Sequence, residues 1–224
     1  VGKVFFFRSL WTQVDTVKYP FAYGFYRNRR REQAIMIQNC LRWRLRQLQD
    51  AQPGHKKAKF NHTSTLRDIA NAFPSMNHTG LDDMLETLLD PAAPLLPLLQ
   101  QRYKNAYVVI RDSTGKGIVI QPHCGGMQGD STMPDMFSAT YDPHVANWIY
   151  QRSRHMPQNV ILSTDPLTGI TLEVGTTLYA DDINETNLTP TAADVTRVER
   201  TSTQLLDHEL AQLGMAQNTG KAEN

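Results

Sequence analysis

Cysteine is scarce in this chain. Its 224 residues include two, Cys40 and Cys124, too few and too far apart for a disulfide framework or a zinc knuckle, and a reducing, intracellular setting is the expectation. Net charge is nearly absent as well, formally +1 at pH 7, so charge balance alone does not announce a nucleic-acid binder. Long apolar runs are missing. Val4-Phe5-Phe6-Phe7 is stopped by Arg8 and is far too short for a signal or membrane segment, so no membrane partner is expected. Nor are there internal repeats or low-complexity tracts, which excludes a repeat array. What remains is an ordinary apolar fraction, 40%, in a length that suits one large domain or two small ones with a sizeable core.

The charge that is present is unevenly placed. Arg27, Arg29, Arg30, Arg31, Arg42, Arg44 and Arg46 crowd the first quarter, followed by His55, Lys56, Lys57 and Lys59, whereas most acids lie later. A solvated helix face accounts for much of the arginine run. The contiguous Arg29-Arg30-Arg31 does not follow a helical period and is expected to meet phosphate.

Periodicity places the elements. Ala34, Ile37, Leu41, Leu45 and Leu48 predict an amphipathic helix over 33–48. Thr79 is positioned to cap a helix over 80–89, ended by Pro91, and another helical stretch runs towards Arg102. Residues 106–110 and 117–121 read as strands around the turn Asp112-Ser113-Thr114-Gly115. Pro134 suits the first turn of a helix running towards Tyr150, with a kink or break expected at Asp142-Pro143. A last helix spans 192–213, with Gly214 just past its end. Hairpin connections without regular strand–helix alternation predict an α+β fold, an antiparallel sheet with helices on one face.

The most informative stretch is Tyr179-Ala180-Asp181-Asp182. A β-prone run precedes it and Ile183 follows. Side chains alternate along a strand, so two adjacent acids share one site only where the backbone turns, and the expected form is strand, tight turn with the acids at its tip, strand. Acids gathered there repel one another unless a cation lies between them, and a hard divalent ion, Mg²⁺ above all, suits oxygen ligands. An Asp pair is also common in turns for local hydrogen-bonding reasons. A third acid, Asp68, ends the extended stretch His62-Thr63-Ser64-Thr65-Leu66-Arg67, and two strands ending side by side would bring it next to Asp181.

These segments resemble the ordered motifs of reverse transcriptases. Asp68-Ile69-Ala70-Asn71-Ala72-Phe73 is similar to the first catalytic motif, an Asp followed by an Ala-aromatic pair. Gly126-Met127-Gln128-Gly129-Asp130-Ser131-Thr132-Met133-Pro134 resembles the Gln-Gly-Asp motif, although the family often has Pro-Leu-Ser-Pro after the Asp. Tyr179-Ala180-Asp181-Asp182 resembles the Tyr/Phe-Ala-Asp-Asp motif. Leu213-Gly214-Met215 with Asn218 and Lys221 resembles the lysine-bearing motif that follows. Tyr23-Gly24-Phe25-Tyr26-Arg27, with Glu32 and Ala34-Ile35, is similar to the fingers segment of the non-LTR retrotransposon and group II intron branch, and Gly2-Lys3-Val4-Phe5 to the segment before it.

The resemblance implies a right-hand polymerase palm at 61–79 and 125–224, and partial fingers at 1–60 and about 80–124. It implies a fragment of a longer retroelement polyprotein without the earliest fingers strands or the thumb. The implied reaction is RNA-templated DNA synthesis, in which a primer 3′-hydroxyl attacks the α-phosphate of a dNTP. Two Mg²⁺ ions would lie about 3.5–4 Å apart, one lowering the pKa of the attacking hydroxyl and one stabilising pyrophosphate. Asp68 and Asp181 are the expected direct ligands, Ile69 offers its carbonyl, and Asp182 is the third acid or a turn-stabilising residue. Phe73 is the expected gate against a 2′-hydroxyl, or a core residue. Gln128 and Gly129 would approach the nucleotide. Asp130 is expected to cap the following helix. Lys221 would protonate pyrophosphate, or is merely exposed. Arg27 would bind the triphosphate or template. Arg67 is expected to face away from Asp68. The partners so implied are an RNA template, a DNA primer and dNTPs. A viral RNA-dependent RNA polymerase is the near rival, disfavoured by Phe73 and Ala180; a non-catalytic nucleic-acid-binding scaffold is the rival from another class.

Overall fold

The structure, a computed structural model, describes residues 19–50, 61–126, 130, 132–218 and 220. Helix α1 (Arg31–Asp50) is followed by strand β1 (His62–Arg67), the single turn α2 (Ala72–Ser75), α3 (His78–Leu88) and α4 (Leu95–Lys104). The hairpin β2 (Val108–Arg111) and β3 (Gly117–Ile120) leads to the long α5 (Met133–His155). Strands β4 (Leu162–Thr164), β5 (Thr171–Glu173), β6 (Thr176–Tyr179) and β7 (Asp182–Leu188) precede α6 (Ala192–Gln212). The architecture is α+β, with small antiparallel sheets and helices.

The central sheet has the order β1-β7-β6, antiparallel throughout. Its register aligns Arg67 with Ile183, Leu66 with Asn184, and Tyr179 with Asp182. Because side chains alternate, the sheet has two unlike faces. Leu178 and Ile183 point into the core with Phe137, Tyr141 and Trp148 of α5 and Leu206 and Leu210 of α6. On that face Arg67 pairs with Glu185 at 2.7 Å and with Glu199 of α6 at 2.9 Å, so its guanidinium is buried on the core side, although the residue itself also borders a cleft next to Asp68. Arg152 of α5 reaches the same Glu185. Its Nε lies 3.0 Å from Oε1, within ion-pair range but off the hydrogen-bond direction, while its other nitrogens donate to Thr176 at 2.8 Å and Asn187 at 2.5 Å. The opposite face is not bare. Gln38 of α1 is buried there, accepting from Thr186 at 3.2 Å and donating to the Gly175 carbonyl at 3.4 Å. Helices therefore lie on both faces, which corrects the one-face expectation.

Several element ends differ from the expectation. Helix α5 runs unbroken through Pro143, since burial of Phe137, Tyr141, Val145 and Trp148 along one rod outweighs the one hydrogen bond a proline removes. Asn77, not Thr79, caps α3 by accepting from the Gly80 N–H at 2.7 Å. The hairpin β4–β5 lies outside the expected strands except at 170–174, because its exposed residues carry no burial signal. Helix α6 opens with a capping box between Thr191 and Asp194 and ends in a Schellman motif, with Met215 N–H bonded to Leu210 and Gly214 N–H to Ala211. No helix among the described residues is long and apolar enough to cross a membrane.

Candidate active site

The site is built at the end of the central sheet, where β1 stops and the β6–β7 hairpin turns. The hairpin connection is two residues, Ala180 and Asp181, with Ala180 at φ 58°. A positive φ at the first turn position matches the twist of a tight hairpin, though a residue with a Cβ occupies it only when its surroundings hold it there. The sequence expectation had both acids at the tip. Asp181 is in the turn, but Asp182 is the first residue of β7 and pairs with Tyr179. The odd position in the pleat separates the two carboxylates by face.

Asp68 is the acid common to both sides. It follows β1 directly and lines a cavity of about 370 Å³ with Asp181, Phe73 and Asn218. It also lines a cleft of about 690 Å³ with Asp182, Tyr179, Asn184 and Leu66 on the sheet side and Arg31, Gln38 and Arg42 of α1 on the other. Asp68 and Asp182 lie on the sheet wall of that cleft, with Arg67, and Arg31 and Arg42 on the helix wall. Asn218 fixes Asp68: its Nδ2 donates to Oδ2 at 2.9 Å, and its backbone N–H donates to the Asp68 carbonyl at 2.8 Å. Ala70 N–H bonds the Ala216 carbonyl at 2.9 Å. Ile69 faces Gln217 between those two bonds, so this bridge uses neither its N–H nor its carbonyl, and the Ile69 side chain is buried.

Beneath the turn sits Tyr141, whose buried hydroxyl has no protein partner. Burial first, then the negative charges of Asp142, Asp181 and Asp182, pushes that phenol well above its ordinary pKa, so it stays protonated below a negatively charged rim. Among the described residues, no three His, Cys, Asp or Glu side chains are grouped closely enough to hold a metal ion. The backbone nonetheless brings Asp68 beside each of the two other acids in turn. The donors are carboxylate oxygens, the chemistry a hard divalent cation takes.

Phe73 lines the same cavity as Asp68 and Asp181. Its ring stacks on Phe137 at 4.3 Å and meets Phe25 edge-on at 5.8 Å, so it is both a core-anchored residue and a wall of the site. Gly125 closes the segment from behind. At φ 69°, a Cβ there would lie 2.4 Å from the Pro74 carbonyl oxygen, and its N–H bonds Met76. Gln128, Gly129 and Lys221 lie outside the described residues. Asp130 does not cap α5, whose N-cap is Thr132. It stands two residues earlier, accepts from the Thr132 N–H and hydroxyl at 2.9 Å, and pairs with Arg102 at 2.7 Å. Burial raises its pKa, but these bonds and Arg102 outweigh it and hold the carboxyl below its ordinary range.

Arginine roles also shift. Arg27 is exposed and lines neither cavity at Asp68; Arg31 and Arg42 do. Arg29 is turned inward. Its guanidinium donates to the carbonyls of Tyr19 and Ala22 and lies over the rings of Tyr23 and Tyr26, which is a structural role rather than the expected phosphate contact. The left-handed residue Asn28, φ 64°, lies between Arg27 and Arg29. Arginine spacing alone carried no sign of this.

Solved structures share the fold. Apo telomerase from Candida tropicalis superposes with a TM-score of 0.64 at 10% identity, covering 99% of this chain and 38% of that one. A C-terminally truncated form gives 0.62 at 10%, covering 99% and 42%. Candida albicans telomerase in complex with a TWJ fragment of telomeric RNA gives 0.63 at 12%, covering 95% and 34%. The fold is reverse-transcriptase-like. The chain spans less than half the length of these telomerases, and at such identities the likeness is one of fold. No family model matches the sequence, and no curated protein matches it.

Proposed function

We propose that this reverse-transcriptase-like chain carries out RNA-templated DNA synthesis as part of a retroelement polymerase, with 61–79 and 125–224 as palm and 1–60 and about 80–124 as partial fingers. The observation that carries the proposal is the meeting of Asp68 with Asp181 on one cavity and with Asp182 on the adjoining cleft, from segments more than a hundred residues apart. Asp68, Asp181 and Asp182 would hold two Mg²⁺ ions. When bound, the ions supply a lowered pKa at the attacking hydroxyl and charge neutralisation at pyrophosphate.

The chain's own residues do the rest. Asn218 holds the Asp68 carboxylate in one orientation. Phe73, backed by Phe137, forms a rigid wall where a sugar would lie and would exclude a 2′-hydroxyl by size. Arg31 and Arg42 face the acids across the cleft and would carry phosphate charge, Arg31 as its sequence context predicts and Arg42 in addition. Such backbone contacts recognise a hybrid by shape and charge rather than by sequence. Gln128 and Gly129 would contact the nucleotide, and Lys221 would act at the leaving pyrophosphate.

The test is primer extension on an RNA template. Wild-type protein is expected to incorporate dNTPs in a Mg²⁺-dependent reaction, and Asp181→Asn to lose that activity. Wild-type extension rates in the Asn variant would refute the assignment, and preference for NTPs over dNTPs would favour an RNA polymerase.

A further inference from the structure

The turn that carries Asp181 is held from outside the sheet by residues 19–29. Tyr23 N–H bonds the Leu178 carbonyl and Leu178 N–H bonds the Phe21 carbonyl, each at 2.8 Å, in a parallel bridge along β6. The next residue, Gly24, lies on the turn itself. A Cβ there would stand 2.1 Å from the Ala180 nitrogen and 2.8 Å from its Cα, so the two backbones touch. Ala180 is the residue at φ 58°, and this contact braces that conformation from one side.

The strap has a second anchor, on α5. Tyr26, itself buried, donates its hydroxyl to Asp142 Oδ2 at 2.5 Å. Asp142 is 2% exposed and sits in the middle of α5. Helix α5 is the rod of the core: it stacks Phe137 on Phe73 and ties Arg152 to the central sheet. Arg29 closes the strap on itself through the Tyr19 and Ala22 carbonyls. A buried carboxylate is costly and its hydrogen bond is directional. A leucine would pack as well, but it would not fix where Tyr26 stands. Asp142 thus sets Tyr26, Tyr26 sets the strap, and the strap sets the backbone beneath Asp181.

We propose that Asp142, acting through Tyr26 and the 21–24 strap, is a positioning residue for the Asp181 turn. The proposal rests on the polymerase reading only for its kinetic consequence; the physical link from Asp142 to the turn stands without it. Misplacement of reacting groups by about 1 Å can cost about a hundredfold in rate, so a partial loosening is expected to cost about tenfold.

The test compares Tyr26→Phe, Asp142→Leu and Asp142→Asn in the full chain. Two readouts are taken: amide hydrogen exchange at residues 179–182, and primer extension with separate kcat and KM for dNTP. Tyr26→Phe and Asp142→Leu are expected to speed exchange at Ala180 and Asp181 at least tenfold. They should lower kcat about tenfold, with KM within twofold. Asp142→Asn keeps an acceptor for the tyrosine hydroxyl and is expected to restore both. Unchanged exchange at 179–182 in the first two variants overturns the proposal, as does a rise in exchange spread evenly over the whole fold. If wild-type protein shows no extension, the polymerase reading fails, and the exchange arm still decides the role of Asp142.

Discussion

Glu185 is the residue whose loss should damage the site's scaffold most. Its carboxylate is fully buried between Arg67 and Arg152, whose side chains are 3% and 0% exposed, and it also accepts from Ser202 at 2.7 Å and Asn187 at 2.6 Å. Burial raises its pKa, yet the two guanidiniums and these bonds outweigh that and hold it below the ordinary glutamate value. Removing one partner of a buried pair leaves uncompensated charge and costs about 3–5 kcal/mol. Glu199 stays 2.9 Å from Arg67, and Arg152 keeps Thr176 and Asn187, which places Glu185→Ala near the lower end, about 3 kcal/mol. For a chain of this size that is about 6–12 °C in Tm. Urea unfolding followed by fluorescence is a direct assay, because the Arg152 guanidinium lies 4.6 Å over the Trp148 ring. A change below about 1 kcal/mol, the range of an exposed ion pair, would refute the reasoning. Because the pKa is depressed on folding, this stability is present above the unfolded value and lost as pH falls through the folded one. The alanine variant should therefore lose less stability than wild type below pH 4.5.

Other outcomes follow from the same geometry. Gly24→Ala forces a methyl into the Ala180 backbone and is expected to lower extension at least tenfold, whereas activity equal to wild type would show that the strap yields freely. Phe73→Val is expected to admit ribonucleotides, read as the ratio of NTP to dNTP incorporation; an unchanged ratio would leave Phe73 with its core contacts alone. Asp142 is raised from 3.8 to about 7 by burial, partly offset by Tyr26 and Arg29. A carboxyl raised on folding makes stability fall as pH rises between those values. Asp142→Asn should flatten that decline in a thermal-melt series from pH 4 to pH 7, and an identical slope in both proteins would contradict the burial effect.

The long amphipathic elements were legible because their apolar spacing largely follows their burial: Leu81 and Leu85 in α3, Leu206 and Leu210 in α6 and Ala34 and Leu45 in α1 are buried, although Ile37 and Leu41 are half-buried and Leu48 is exposed. The hairpin around Asp181 was legible because a β-prone run brackets a pair of turn-forming residues. What could not be read was which arginine turns inward. Arg29 and Arg31 sit two residues apart, one over tyrosine rings and one lining the cleft, a difference that no spacing in the sequence encodes. Nor does sequence pattern reveal a carboxylate such as Asp142 buried against a tyrosine 116 residues away, since such a pair has no period. The glycine at 24 was visible as a letter, but its reason, the turn backbone against it, exists only in three dimensions.

Divalent-ion binding by the three acids is the claim on which the account turns. Titration of the protein with Mn²⁺ in the presence of primer–template and dNTP, with unbound ion read by electron paramagnetic resonance, tests it directly. Wild type should take up two ions per chain, and Asp68→Asn and Asp181→Asn should each lose most of that uptake; equal uptake by all three proteins would contradict the account.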